Sequence, residues 1–238
     1  MDVKNRLLSI IYPHRCFICD EVLPFPEEIC EKCKKQIIDF SKIRGAVCDI
    51  CGLKLSYCNC AASRYYSKAV FPFLYENDVR RSLHRLKFRG RLDKVKPFAG
   101  AMYNALLERN ISDTDILTFI PMSKISKYNR GYNQAELLCK ELSRLSGISY
   151  LPLLCKFGKN AKQHSLKMTR RHGNVLGMYE PDKRYIEEIK GKNILIVDDI
   201  LTTGATLSEA AKTLLIFGAE KVYVISAAAR NNSKKPAD

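Results

Sequence analysis

The segment from Asn193 to Ala227 leaves a chain little freedom in how to fold. Ile194, Leu195, Ile196 and Val197 follow one another with no polar alternation, the pattern of a strand covered on both faces. Leu207, Ala210, Ala211, Leu214 and Leu215 then recur at helical spacing, and Val222–Ala227 has the character of a second buried strand. Strand, helix and strand in so short a span make one βαβ unit, which demands a parallel sheet with right-handed crossovers. Ligands of such open sheets sit beyond the carboxyl ends of the strands. At that place this chain puts Asp198 and Asp199, then Ile200, Leu201 and the run Thr202-Thr203-Gly204-Ala205-Thr206.

A length of 238 residues suffices for one mid-sized domain and a small accessory module. The expected division is a cysteine-rich module with a short leading helix over 1–62, an α/β domain over 63–230, and a loose tail over 231–238. Residues 1–12 carry Leu7, Leu8 and Ile11 on one helical face before Pro13. Ala69–Tyr75 is expected to be the first strand of the larger part, with helices over Asp78–Leu86 and Leu92–Leu107 joined by the basic turn Lys87–Arg91. Ile116–Ile120 reads as a buried strand broken by Pro121, Ala135–Leu145 as a helix with Gly147 just past its end, and Lys156–Gly173 as a polar, basic loop.

Eight of the ten cysteines fall in the first 60 residues. No stretch approaches the roughly 20 apolar residues that span a bilayer, and Leu7–Tyr12 is short for a signal-peptide core, so a cytoplasmic location is expected. In that compartment clustered cysteines are metal thiolates rather than disulfides. Cys16 with Cys19 and Cys30 with Cys33 form two CxxC knuckles; Cys48 with Cys51, and Cys58 with Cys60, form a second, less regular pair. Four thiolates close a tetrahedral structural zinc site, so one or two Zn²⁺ are expected, with the pairing of knuckles left open.

Paired carboxylates ahead of a Thr/Gly run suit a sugar phosphate. They can accept hydrogen bonds from two neighbouring hydroxyls and hold Mg²⁺ through water, while the amides at a helix start cradle phosphate oxygens. Thr206 and Glu209 have the spacing of a capping box. The eleven residues from Ile196 to Thr206 resemble the phosphoribosyl pyrophosphate (PRPP) signature of type I phosphoribosyltransferases. The resemblance implies Asp198 and Asp199 on the ribose hydroxyls and Thr202, Thr203, Gly204, Ala205 and Thr206 around the 5-phosphate. Members that act on 6-oxopurines carry an aspartate where this chain has Thr202, and a threonine hydroxyl takes up no proton near neutral pH, so that activity is not expected.

The net charge of +15 is locally concentrated, since no acidic residue occurs between Leu142 and Tyr179. Such an excess favours polyanionic partners. Ser123, Lys124 and Arg130 lie between a predicted strand and helix, where the planar guanidinium of Arg130 could meet pyrophosphate. Lys87, Arg89, Lys167, Arg170 and Arg171, with Tyr128 and Tyr132 interleaved among basic residues, are candidates for a mobile hood, for phosphate or for single-stranded DNA. His164 and His172 read as polar surface or anion contacts.

The order of zinc ribbon, Leu86-Lys87-Phe88-Arg89-Gly90, Pro121 to Gln134, the Arg170-Arg171 loop and the Asp-Asp-Thr-Thr-Gly string is similar to that of the ComF family, also called ComFC or GntX. The resemblance implies a type I phosphoribosyltransferase-like α/β fold, with a parallel sheet flanked by helices behind an N-terminal double zinc ribbon. It further implies PRPP and Mg²⁺ as ligands, single-stranded DNA and competence helicase or DNA-processing proteins as partners, and a role in natural transformation. The alternative is an active pentosyltransferase on an unidentified base or amine, the ribbon serving as a partner surface.

Overall fold

The computed structural model describes residues 13–43, 47–58, 64–156 and 177–231. The expected helix over 1–12, together with Cys60, His164, Lys167, Arg170, Arg171, His172 and most of the tail, lies outside the described residues.

The main sheet is parallel throughout. Its order is β1 (Lys68–Val70), β7 (Lys221–Ala229), β6 (Asn193–Leu201) and β3 (Ile116–Phe119), and β2 (Phe73–Leu74) continues along β7 beyond β1. The single strand expected over Ala69–Tyr75 is therefore two short ones, both on β7, separated by Phe71-Pro72. β6 also runs further than its apolar residues indicate. Asp198 and Ile200 keep pairing with Ser226 and Ala228, so the two aspartates belong to the strand rather than following it.

Side chains of β6 alternate between two cores. Leu195 and Val197 face a layer built by α2 (Asn77–Phe88), α3 (Val95–Glu108) and α5 (Gln134–Ser146). Ile194 and Ile196 face the layer of α7 (Ala205–Ile216), which contributes Leu207, Ala210, Ala211 and Leu214. Helices on both faces account for strands that are apolar on both sides. Helix α2 runs through Lys87 and Phe88, which shortens the expected basic turn to Arg89–Arg91, and Gly90 takes the left-handed conformation there (φ +64°).

The cysteine module is not a bead on a linker. Cys16, Phe17, Ile18, Cys30, Cys33 and Phe40 belong to the α2/α3/α5 core, and Cys51 and Leu53 to the α7 core. Phe17 packs edge-on against Phe98 (5.0 Å) and Phe73 (6.1 Å). Ile38 N–H donates to Pro72 C=O and Ala69 N–H to Ile50 C=O, both at 2.8 Å, so backbone of the module covers part of the outer edge of the sheet. An uncovered edge strand would invite pairing with another chain. The buried Lys94 ammonium, 0% exposed, donates to Phe17 C=O (2.8 Å) and Asp20 (2.7 Å) and ties the first knuckle to α3. Its own solvation is lost, and burial holds its pKa down at about 8.

A helix and a hairpin near the sheet's carboxyl end have no counterpart in the expectations. Lys124–Arg130 is a helix, α4, capped by Ser123, whose Oγ accepts from Ser126 N–H (3.1 Å), and ended by Gly131 in the left-handed conformation. Leu154–Lys156 (β4) and Tyr179–Pro181 (β5) pair antiparallel and bracket the basic segment. Among the described residues no helix is long and apolar enough to cross a membrane.

Candidate functional site

The carboxyl ends of β3 and β6 open into a cavity of about 340 Å³. Asp198, Asp199, Thr202 and Thr206 line one side, Ser123 and Arg130 another, and Lys87 enters from the end of α2. Seven residues singled out in the sequence thus meet in one hollow although they come from three distant segments. Lys87 reaches Asp199 at 3.2 Å. Asp198 Oδ1 accepts the Asp199 N–H (2.8 Å), and its carboxyl is raised well above the ordinary carboxylate range, first by burial and second by the charge of Asp199. Two adjacent carboxylates in a poorly solvated corner repel each other, and a dication or a pair of donated hydroxyl hydrogens would relieve them.

Thr202–Gly204 forms a bend that leads into α7. The cap residue is Gly204, with φ +76° and no side-chain cap bond. This corrects the capping-box expectation: the helix begins earlier than Thr206, and the Glu209 carboxylate instead accepts the Gly177 N–H at 2.7 Å. Gly204 itself offers the first turn of α7 no side-chain acceptor, and the Ala205 N–H donates instead to Thr203 Oγ1 (3.3 Å).

The remaining candidates divide. Lys124 is the first residue of α4, and Tyr128 on the same helix points to solvent at 90% exposure. Tyr132 is a packing residue, its hydroxyl donating to Leu86 C=O at 2.6 Å. Arg89 lies on a separate groove along α2. Lys156, Met178 and Tyr179 from the β4–β5 hairpin, and Asn133 and Gln134 at the start of α5, also line the cavity. The hairpin escaped sequence reasoning because its two short strands flank a long polar insertion and show no alternation. Arg64 was missed as well. Its Nη1 donates to Thr203 C=O (2.6 Å), so a residue just after the cysteine module braces the bend.

The cysteine sulfurs gather in two groups. Those of Cys16, Cys19, Cys30 and Cys33 lie within 4.8 Å of one another, as do those of Cys48, Cys51 and Cys58. A tetrahedral zinc with bonds of about 2.3 Å has sulfur–sulfur edges of about 3.8 Å, and the Cys19–Cys30 and Cys51–Cys58 pairs stand at 3.7 Å. The donor sets fit that metal. The grouping pairs the first knuckle with the second, without interleaving.

Comparison with known proteins agrees with this anatomy. Residues 154–238 match the phosphoribosyl transferase domain and residues 7–66 the double zinc ribbon domain. "Competence protein ComFC" of Bacillus subtilis (strain 168) is 28% identical over 236 residues, spanning 90% of this chain and 93% of the relative. "DNA utilization protein YhgH" of Salmonella typhimurium (strain LT2) is 26% identical over 224 residues, spanning 89% and 95%. Among solved structures, the glutamine PRPP amidotransferase from B. subtilis overlaps 60% of this chain and 30% of its own at 19% identity, with a TM-score of 0.40. The parallel sheet flanked by helices, behind a cysteine-rich ribbon, is a type I phosphoribosyltransferase-like fold.

Proposed function

We propose that this chain, which joins a phosphoribosyl transferase domain to a double zinc ribbon and is similar over nine-tenths of its length to a ComF-type competence protein, binds PRPP with Mg²⁺ and handles single-stranded DNA during DNA uptake. The observation that carries the first half is the convergence of Asp198, Asp199, the Thr202–Thr206 bend, Lys87 and Arg130 on one cavity. Each part answers a part of the ligand. Carboxylates accept the two ribose hydroxyls, amides at the start of α7 take the 5-phosphate, and the Arg130 fork matches pyrophosphate oxygens. Bound Mg²⁺ would offset the repulsion between the aspartates and neutralise pyrophosphate; Asp198 and Asp199 are the residues placed to hold it, through water.

The second half is supported by relatives that are named for competence and DNA utilization and by the +15 charge, which suits a polyanion. A cytoplasmic location beside DNA-processing proteins such as a competence helicase belongs to this reading, as do structural Zn²⁺ ions on the two sulfur groups. Thr202 puts a hydroxyl that takes up no proton where a carboxylate would serve a purine, which weighs against salvage chemistry. Transfer of phosphoribose to another base or an amine is the second reading, favoured by Met178 and Tyr179, which give the cavity a wall against which an acceptor ring could lie.

Calorimetry on folded, zinc-loaded protein with PRPP and Mg²⁺ tests the site. Saturable binding that disappears in Asp198→Asn/Asp199→Asn is expected; no binding heat from the wild-type chain refutes the assignment. Pyrophosphate release with a panel of bases and amines decides between binding and transfer.

A further inference from the structure

Helix α2 turns Val79, Leu83 and Leu86 into the core and carries on its other side two rows that hold four arginines between them. Arg80, His84 and Phe88 follow one another at four-residue steps, and Arg81, Arg85 and Arg89 form the neighbouring row. Residues four apart share a helix face and stand about 6 Å apart along the axis. Both rows, apart from Phe88, line a groove of about 530 Å³ that is distinct from the sugar-phosphate cavity.

Like charges at these spacings destabilise a helix. Local carboxylates compensate only some of them. Arg81 pairs with Asp78 and Arg85 with Asp20, whereas Arg80 and Arg89 have no carboxylate at ion-pair distance among the described residues. A surface that concentrates guanidinium groups against their mutual repulsion, and leaves some without counter-ions, is complementary to a polyanion.

The far end of the groove narrows the choice of polyanion. Phe88 is 55% exposed, an aromatic ring open to solvent where an apolar residue gains nothing from water. The His84 ring lies 4.7 Å from it, and the Arg130 guanidinium stacks over it at 4.8 Å. Arg130 and Lys87, adjacent to Phe88, also line the sugar-phosphate cavity. Cations in rows with an accessible flat ring at one end are the equipment for single-stranded nucleic acid, whose bases are free to stack; a duplex hides them and an acidic peptide has none.

We propose that the outer face of α2 is the track for single-stranded DNA, with Arg80, Arg81, Arg85 and Arg89 on its phosphates and a base stacked on Phe88 at the mouth of the sugar-phosphate cavity. The track rests on the DNA-handling reading above and gives it a location. It also ties the track to the cysteine module, which braces the helix from behind. Arg85 is held by Asp20, which neighbours the knuckle residue Cys19, and Ser82 on the same helix donates to Phe17 C=O.

Fluorescence anisotropy with a labelled oligothymidylate, titrated with salt, tests it on the full zinc-loaded chain. Arg80→Ala/Arg89→Ala removes two groups that hold no ion pair, so folding is spared. Its log–log salt slope should be shallower by about 1.4, from about 0.7 per phosphate on a single strand. Phe88→Ala should weaken binding about 5- to 160-fold, the range for one stacked base. Arg80→Ala alone should leave the calorimetric PRPP titration as in the wild type. If the wild type binds the oligonucleotide and these variants match it in affinity and slope, the track is wrong while the DNA reading stands. If the wild type does not bind, the DNA reading falls and takes the track with it. Polyglutamate that binds as tightly as DNA, and is lost in the same variants, would reassign the face to an acidic protein partner.

Discussion

Gly204 is where the cavity, the cysteine module and backbone strain meet, and replacing it with alanine gives a prediction with an internal control. At φ +76° an L side chain costs about 1–2 kcal/mol. A Cβ there would also meet Arg64 Nη1 at 2.0 Å and Tyr66 Oη at 2.8 Å. The Arg64 guanidinium ends a flexible side chain and swings away, while the buried Tyr66 ring yields only at some further cost, and so the clash is relieved. Its consequence is that Arg64 leaves Thr203 C=O, a partly solvated hydrogen bond worth about 1 kcal/mol. Gly204→Ala should therefore cost about 2–3 kcal/mol. Gly131 has the same conformation (φ +77°) but nothing within 4 Å of a built Cβ, so Gly131→Ala should cost the strain alone, about 1–2 kcal/mol. Each kcal/mol lowers Tm by about 2–4 °C at this chain length, so calorimetry should place Gly204→Ala about 2–4 °C below Gly131→Ala. In the Arg64→Ala background the difference should shrink by about 1 kcal/mol, because the bond is already gone, and that shrinkage is the coupling energy. Equal Tm values for the two glycine variants in the wild-type background would refute the claim that Arg64 braces the bend.

Other outcomes follow from the same geometry. In magnesium-free buffer Asp198→Asn should raise stability by about 0.5–2 kcal/mol at neutral pH while removing PRPP binding, the trade expected of a strained site. A carboxyl whose pKa is raised in the folded state lowers stability once the unfolded chain's carboxyl ionises. That gain should accordingly be absent below about pH 3.9, grow as pH rises from there to the raised value and level off above it, which thermal melts at several pH values can check. Phe17→Ala should cost about 3 kcal/mol or more in chemical denaturation, since the ring is buried against Phe73 and Phe98. Stripping metal with a chelator should lower Tm and increase dye binding to apolar surface, because the knuckles share the α2/α3/α5 core; an unchanged melt would separate ribbon from domain. Tyr128→Ala should leave the melt within about 0.5 kcal/mol, whereas Tyr132→Phe should lose about 1 kcal/mol with its bond to Leu86.

Those two tyrosines show what a linear pattern leaves undecided. Spaced four apart among basic residues, they look alike in sequence, yet one is bare and the other is tied to the end of α2. Which face of a short segment turns inward depends on what packs against it, and for Lys124–Arg130 that is set by distant strands and helices. The same holds for Lys87. Its place next to Phe88 and Arg89 advertised a basic turn, but only the approach of α2 to β6 puts its ammonium 3.2 Å from Asp199.

By itself the sequence determined the parallel βαβ unit, because runs apolar on both faces and a helical stripe admit few other arrangements. It also determined the presence of two cysteine clusters and which carboxylates and hydroxyls stand together at the end of β6, since both rest on residue types at short, fixed spacing. Only the tertiary structure decided the rest: that the cysteine module is fused into both cores, that β6 carries its aspartates within the strand, that Gly204 rather than Thr206 starts α7, and that Arg64, Lys156 and Tyr179 reach the site. The reason is one of range. Periodicity and motif spacing report contacts a few residues apart, whereas these features are made by groups tens to more than a hundred residues distant, which become neighbours only when the sheet and its covering layers close.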